Sequence, residues 1–163
     1  MAPSTIKGQE MKLVQGDLIK MAKDNEVDII IHGCNCFNTM GAGIAAAIAR
    51  EFPDARLADE ETVRGDAGKL GTYTIGMHGR LTILNAYTQY GISTNGKDVF
   101  EYIAFERVLE KIANRFGKWR FGLPMIGMGL AGGNPERIIP IMEHFAEMVN
   151  RKGGSVTLVE FKS

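Results

Sequence analysis

The chain has 163 residues, 45% of them hydrophobic, and its 19 basic side chains balance 19 acidic ones. That length suits one domain, able to bury roughly two-thirds of its unfolded surface, and a balanced charge without a basic stripe speaks against binding nucleic acid by its phosphate backbone. No apolar run reaches membrane length and the polar start over 1–10 lacks the core of a signal peptide, so no membrane partner is expected and a cytoplasmic location is.

Residues 1–10 read as a tail or a short extra strand ahead of a domain over 11–163. A short strand over 11–15 closes at Gly16-Asp17, and Asp17 can cap a brief helix that begins at Leu18. A buried strand over 27–32 leads through a polar loop and Met40-Gly41-Ala42-Gly43 into a helix over 44–51, stopped by Phe52-Pro53. Residues 54–63 read as a helix ending near Gly65; with its acidic cluster it carries no function. Strands over 70–75 and 81–87 form a hairpin around His78-Gly79. Residues 100–116 form an amphipathic helix with Phe100, Ile103, Phe105, Val108, Leu109 and Ile112 on its apolar face. A strand over 120–125, a helix over 136–152 and a strand over 155–161 complete the chain. This alternation predicts an α/β domain with a mostly parallel central sheet between helices, whose ligands sit beyond the carboxyl ends of the strands.

Two glycine-rich junctions fall at those ends. The first, Met40-Gly41-Ala42-Gly43-Ile44, opens a helix whose first N–H groups have no intrahelical partner, an arrangement suited to an anion. A dinucleotide fingerprint would need a third glycine where Ala46 stands, and no Gly-Lys-Ser/Thr marks a P-loop. The second runs from Pro124 through Gly127-Met128-Gly129-Leu130-Ala131-Gly132-Gly133 to an Asn134 cap and Pro135. Four glycines in seven residues exceed what one turn requires, so a phosphate cradle is favoured over a plain turn. Cys34 and Cys36, the only cysteines, cannot easily close on each other, and no second pair completes a zinc site. Two reduced thiols are expected, with no metal and no cofactor. Cys36 could attack a phosphoryl group, but nothing marks it as a low-pKa thiol. His32, at a strand end three residues before Asn35, has a pKa suited to proton transfer; its bland alternative is a structural histidine. His78 and His144 read as solvent or packing residues. Thr88, Gln89 and Tyr90 follow a strand and could line a cleft.

Gly16-Asp17-Leu18, Asn35 ahead of Met40-Gly41-Ala42-Gly43-Ile44-Ala45, and the loop from Pro124 to Gly133, in this order, resemble a macro domain over nearly the whole chain. The branch it resembles includes ADP-ribose-1″-phosphate phosphatases and the terminal ADP-ribose protein glycohydrolase. The resemblance implies a three-layer α/β/α fold with a mixed, mostly parallel sheet and a cleft for ADP-ribose or a derivative, ADP-ribosylated protein included, in a monomer. It implies that Asp17 accepts from the adenine amino group, that Gly16 and Leu18 border the ring, and that Asn35 bonds the distal ribose. Met40, Gly41, Ala42, Gly43 and Ile44 would flank one side of the diphosphate. Pro124, Gly127, Met128, Gly129, Leu130 and Ala131 would flank the other, with Thr88 near the distal phosphate or ribose and Gln89 beside it in the cleft. The lysine and aspartate of the glycohydrolase fall at or near Gln89 and at Ala131, and neither an amide nor a methyl group can replace them. Hydrolysis of ADP-ribose-1″-phosphate by a water that Asn35 positions, with His32 as the accessory group, is therefore the expected activity. A non-catalytic ADP-ribose reader, or a mono-ADP-ribosyl hydrolase acting on protein or nucleic-acid adducts, is the alternative.

Overall fold

The computed structural model describes residues 4–5 (backbone only), 11–92, 95 and 97–162. The element order is β1 (Ser4–Thr5), β2 (Met11–Gly16), α1 (Leu18–Lys23), β3 (Ile29–Cys34), α2 (Gly43–Glu51), α3 (Pro53–Glu60), β4 (Tyr73–His78), β5 (Leu81–Tyr87), α4 (Tyr102–Phe116), β6 (Arg120–Pro124), α5 (Pro135–Arg151) and β7 (Ser155–Phe161). Of the segment expected as a tail or extra strand, Ser4–Thr5 pairs antiparallel with β2, and the remainder lies outside the described residues. No helix among the described residues is long and apolar enough to cross a membrane.

The strands form one sheet in the order β1-β2-β7-β6-β3-β5-β4, parallel except at its two edges. Side chains alternate across it, as the strand period requires. Ile29, Ile31, Leu84 and Leu123 face α4 and α5, whereas Ile30, Ile83 and Val159 face α1, α2 and α3. The result is the expected α/β/α sandwich. The helix over 102–116 buries Ala104, Phe105, Val108, Leu109, Ile112 and Ala113. Ile103, expected on that face, is 65% exposed, because the stripe 104/105/108/109/112/113 places position 103 about 100° away from its neighbour and outside the buried arc.

One feature of pairing shapes the molecule. β3 pairs with β6 only at Ile29↔Phe121 and Ile30↔Gly122. Beyond these, β3 stays with β5 as far as Cys34↔Tyr87 and β6 stays with β7 as far as Pro124↔Val159. The sheet forks there. From β3 the chain continues towards β4 and β5, from β6 towards β7, so the fork is a topological switch point, where ligands bind in open α/β sheets.

A buried polar chain runs under the α3 side of β3 and β5. His32 Nε2 lies 2.6 Å from Asn85 Oδ1, and the Asn85 amide donates to Ala55 O (2.9 Å) and Thr74 Oγ1 (3.0 Å). Tyr87 donates to the buried Asp59 carboxylate at 2.8 Å. His32 is thus a correction to the expected proton-transfer role. β3 extends to Cys34 rather than ending at 32, so His32 shares the interior face of Ile30 and is fully buried away from the glycine loops. Burial pushes its pKa down to about 4, against a smaller upward pull from the Asn85 hydrogen bond.

Two outcomes follow. A Cβ at Gly76 would lie 2.5 Å from both Cα and N of Ala55, so Gly76→Ala must displace the α3 backbone; urea denaturation should show a loss of about 2 kcal/mol or more, and an unchanged midpoint would contradict this packing. Because the folded His32 resists protonation, its contribution is complete above the unfolded pKa of about 6.5 and is lost as pH falls towards about 4, a drop of about 3 kcal/mol. Burial raises the Asp59 carboxyl, whose contribution runs the opposite way, so the readout is the difference between wild type and His32→Gln. The variant's stability curve should be flatter over that window, and parallel curves would contradict the buried neutral imidazole.

Candidate functional site

A cavity of about 550 Å³ sits in the fork, beyond the carboxyl ends of β3, β5 and β6. Its walls are the two glycine loops. From the β3 side come Gly33, Cys34, Asn35, Thr39 and the start of α2 from Gly41 to Ala45; from the β6 side come Pro124 to Gly127 and Gly129 to Ala131. Thr88, Gln89 and Ile92 close the β5 end.

Both walls offer main-chain donors. Ala42 at the N-cap of α2 makes no side-chain cap, so the first-turn N–H groups are left for an occupant of the cavity that Gly43, Ile44 and Ala45 line. In the second loop, internal bonds use the N–H groups of Ile126 (to Pro124 O), Met128 (to Met125 O), Gly132 (to Gly129 O) and Gly133 (to Gly127 O). Those of Gly127, Gly129, Leu130 and Ala131 take no part in these bonds. Gly127 holds φ at +77°, and a Cβ there would meet the Phe100 ring at 2.6 Å, so glycine is required. The loop is pinned from outside. Val99 N donates to Ala131 O (3.0 Å), Tyr102 Oη accepts from Asn134 N (2.9 Å), and the Asn134 side chain caps α5 as its position predicts.

Asn35 lines the cavity and also caps its own loop. Its Nδ2 donates to Thr39 O (3.2 Å) and Oγ1 (2.8 Å), while Oδ1 accepts from Phe37 N (2.8 Å). The carbonyl oxygen retains a second lone pair for a ligand or water. The loop rests on Lys69, a residue the sequence gave no reason to single out. Its buried ammonium donates to Asn38 Oδ1 (2.7 Å) and Thr62 Oγ1 (2.9 Å) and sits 5.4 Å from the Tyr87 ring centre. Asn38 itself has φ of +60° and binds Thr62 O (2.7 Å), so this cation fixes a left-handed turn three residues from Asn35.

Burial works against ionising either thiol. Cys34 Sγ lies 3.7 Å from His32 Nε2 and 3.8 Å from Nδ1, and Nε2 also meets Asn85, so thiol, imidazole and amide stand together. Burial nevertheless drives the Cys34 thiol well up and the imidazole down, so neither ionises near neutrality. Burial also raises Cys36, whose thiol donates to Gln89 O. Among the described residues, none lining the cavity apart from Cys34 carries a titratable side chain, and no cluster of three or more His, Cys, Asp or Glu could hold a metal.

The remaining expected residues divide. Gly16, Asp17 and Leu18 lie at the end of β2, outside the cavity: Asp17 caps α1 through Ile19 N (3.0 Å) and Lys20 N (3.3 Å), and Leu18 is core. The side chains of Met40 and Met128 pack on the two hydrophobic clusters beside their loops. Gly33, Cys34, Thr39, Ala45, Ile92, Met125 and Ile126 also line the cavity, beyond the residues expected there. Tyr90 closes no wall; its hydroxyl binds Gly65 O (3.0 Å) and its ring meets Phe37 edge-on.

No family profile matches the chain. A 17.5 kDa protein from the tk-vs intergenic region of enterobacteria phage T4 is 33% identical over 147 residues, covering 83% of this chain and 90% of that protein. The structure is similar to a macrodomain protein from Streptomyces coelicolor, with a TM-score of 0.65 and 24% identity over 92% of this chain and 98% of the other. It is also similar to DarTG from Thermosipho africanus, solved with ADP-ribose, with a TM-score of 0.73 and 16% identity over 98% of this chain and 43% of that one. The chain belongs to the family of the phage T4 protein and has the macrodomain fold.

Proposed function

We propose that the cavity binds ADP-ribose. The observation that carries this reading is the pair of glycine loops whose N–H groups, unpaired among the described residues, border one cavity at the fork, with no side-chain cation among its described lining residues. Opposed main-chain donors suit a diphosphate, whose charge they meet with fixed dipoles. The adenine would lie towards Asp17 at the end of β2 and the distal ribose towards Asn35 and β5. The complex of ADP-ribose with the similar Thermosipho africanus protein supports the same ligand.

For chemistry, the lining favours removal of the 1″-phosphate from ADP-ribose-1″-phosphate. Hydrolysis of an ADP-ribosyl adduct calls for a general acid or base, which this lining lacks. A phosphate monoester brings its own proton-carrying oxygens. Water oriented by Asn35 Oδ1 would bond to phosphorus as the bond to the 1″ oxygen breaks, with the proton passing by way of the phosphate oxygens to that leaving oxygen.

Calorimetry with ADP-ribose, followed by a free-phosphate assay on ADP-ribose-1″-phosphate, tests both steps. Binding with release supports the phosphatase, binding without release a reader, and no binding overturns the ligand. Asn35→Ala should lower kcat more than it weakens binding if the site is catalytic, and should weaken affinity alone if it is a reader. Gly127→Ala should weaken ADP-ribose about tenfold or more while the protein stays folded, because the loop must rebuild around Phe100. Unchanged affinity would remove that loop from the site.

A further inference from the structure

The Thr88 hydroxyl is the one buried side-chain oxygen or nitrogen among the described residues without a hydrogen-bond partner. Thr88 is 1% exposed and lines the cavity, and its backbone is fixed at both ends: N–H donates to Cys34 O (3.1 Å) and C=O accepts from Glu101 N (2.7 Å). Only the side-chain rotation remains. A valine would fill the same volume without leaving a polar atom unpaired, so the hydroxyl is a cost to the fold that packing does not explain.

A Cβ on Gly33 would stand 2.8 Å from Thr88 Oγ1 and 3.0 Å from Ile126 Cγ2. Glycine at 33 therefore leaves room for the hydroxyl at the floor where β3, β5 and the second loop meet. In the sheet order, β5 lies beyond β3, on the side of the fork away from β2.

We propose that Thr88 is the specificity-determining residue for the distal ribose, its hydroxyl bonding a ribose hydroxyl when ADP-ribose is bound. This rests on the ADP-ribose reading and on the direction given there for the ligand. Thr88 thereby separates ADP-ribose from ADP, which shares the diphosphate and adenine but has no second sugar.

Thr88→Val, Thr88→Ser and wild type are compared by calorimetry with ADP-ribose and with ADP, and by thermal denaturation. The expected result is about tenfold weaker ADP-ribose binding in Thr88→Val with ADP affinity unchanged, wild-type affinity in Thr88→Ser, and a melting temperature in Thr88→Val no lower than wild type. Unchanged ADP-ribose affinity in Thr88→Val, or equal losses for both ligands, overturns the proposal. A fall of several degrees in the melting temperature of Thr88→Val also overturns it, since the hydroxyl would then serve the fold. Wild-type protein that binds neither ligand overturns the ADP-ribose reading itself, and is recognised because it appears before any substitution.

Discussion

The parting of β3 from β6 after two residue pairs is the constraint on which the rest depends. Had those strands stayed paired to their ends, the β3–α2 and β6–α5 loops would have met over a closed sheet edge. Instead each strand keeps its other neighbour, β5 or β7, and the two loops open as opposite walls. The helices that follow lie on opposite faces, so α2 points its N-terminus into the opening from one side while the second loop arches over it from the other. The cavity is thus a product of topology before any side chain is considered.

In the proposed function, recognition by main-chain dipoles lets a chain of zero net charge hold a dianion. It places the burden on backbone shape, and the supporting contacts meet that burden. Lys69 fixes the Asn38 turn on one wall; Val99 and Tyr102 pin the other. The polar chain from His32 through Asn85 to Thr74, together with the Tyr87–Asp59 bond, ties α3 to the strands beneath. These buried polar groups are costly unless satisfied, and all of those named are satisfied; among the described residues Thr88 alone is not.

The sequence made the two loops legible because their signals are local: runs of glycine, an Asn-Pro cap and apolar strands ahead of each. The element order and the three layers followed from periodicity for the same reason. The side to which His32 turns depends on the last two residues of β3, Gly33 and Cys34. With the strand ending at 32, the histidine stands at the mouth of a loop; with the strand reaching Cys34, alternation turns it inward beside Ile30. Ile103 was misplaced by counting apolar residues without fixing the centre of the stripe. Lys69 could not be found, since its partners lie 31 and 7 positions away along the chain and nothing nearby announces burial. The fork was equally hidden, because strand pairing is non-local. The strand expected over 70–75 begins at Tyr73, since the turn at Ala67–Lys69 holds the chain out to place that lysine.

In the proposed function, backbone N–H groups on the two loops jointly hold the ligand. The most direct test is to follow every backbone amide by nuclear magnetic resonance while ADP-ribose is added. The largest shifts are expected on Gly43, Ile44 and Ala45 and on Gly127, Gly129, Leu130 and Ala131, all moving with one dissociation constant. Shifts confined to one loop, or centred on the opposite end of the sheet around Arg80 and Trp119, would contradict that joint hold.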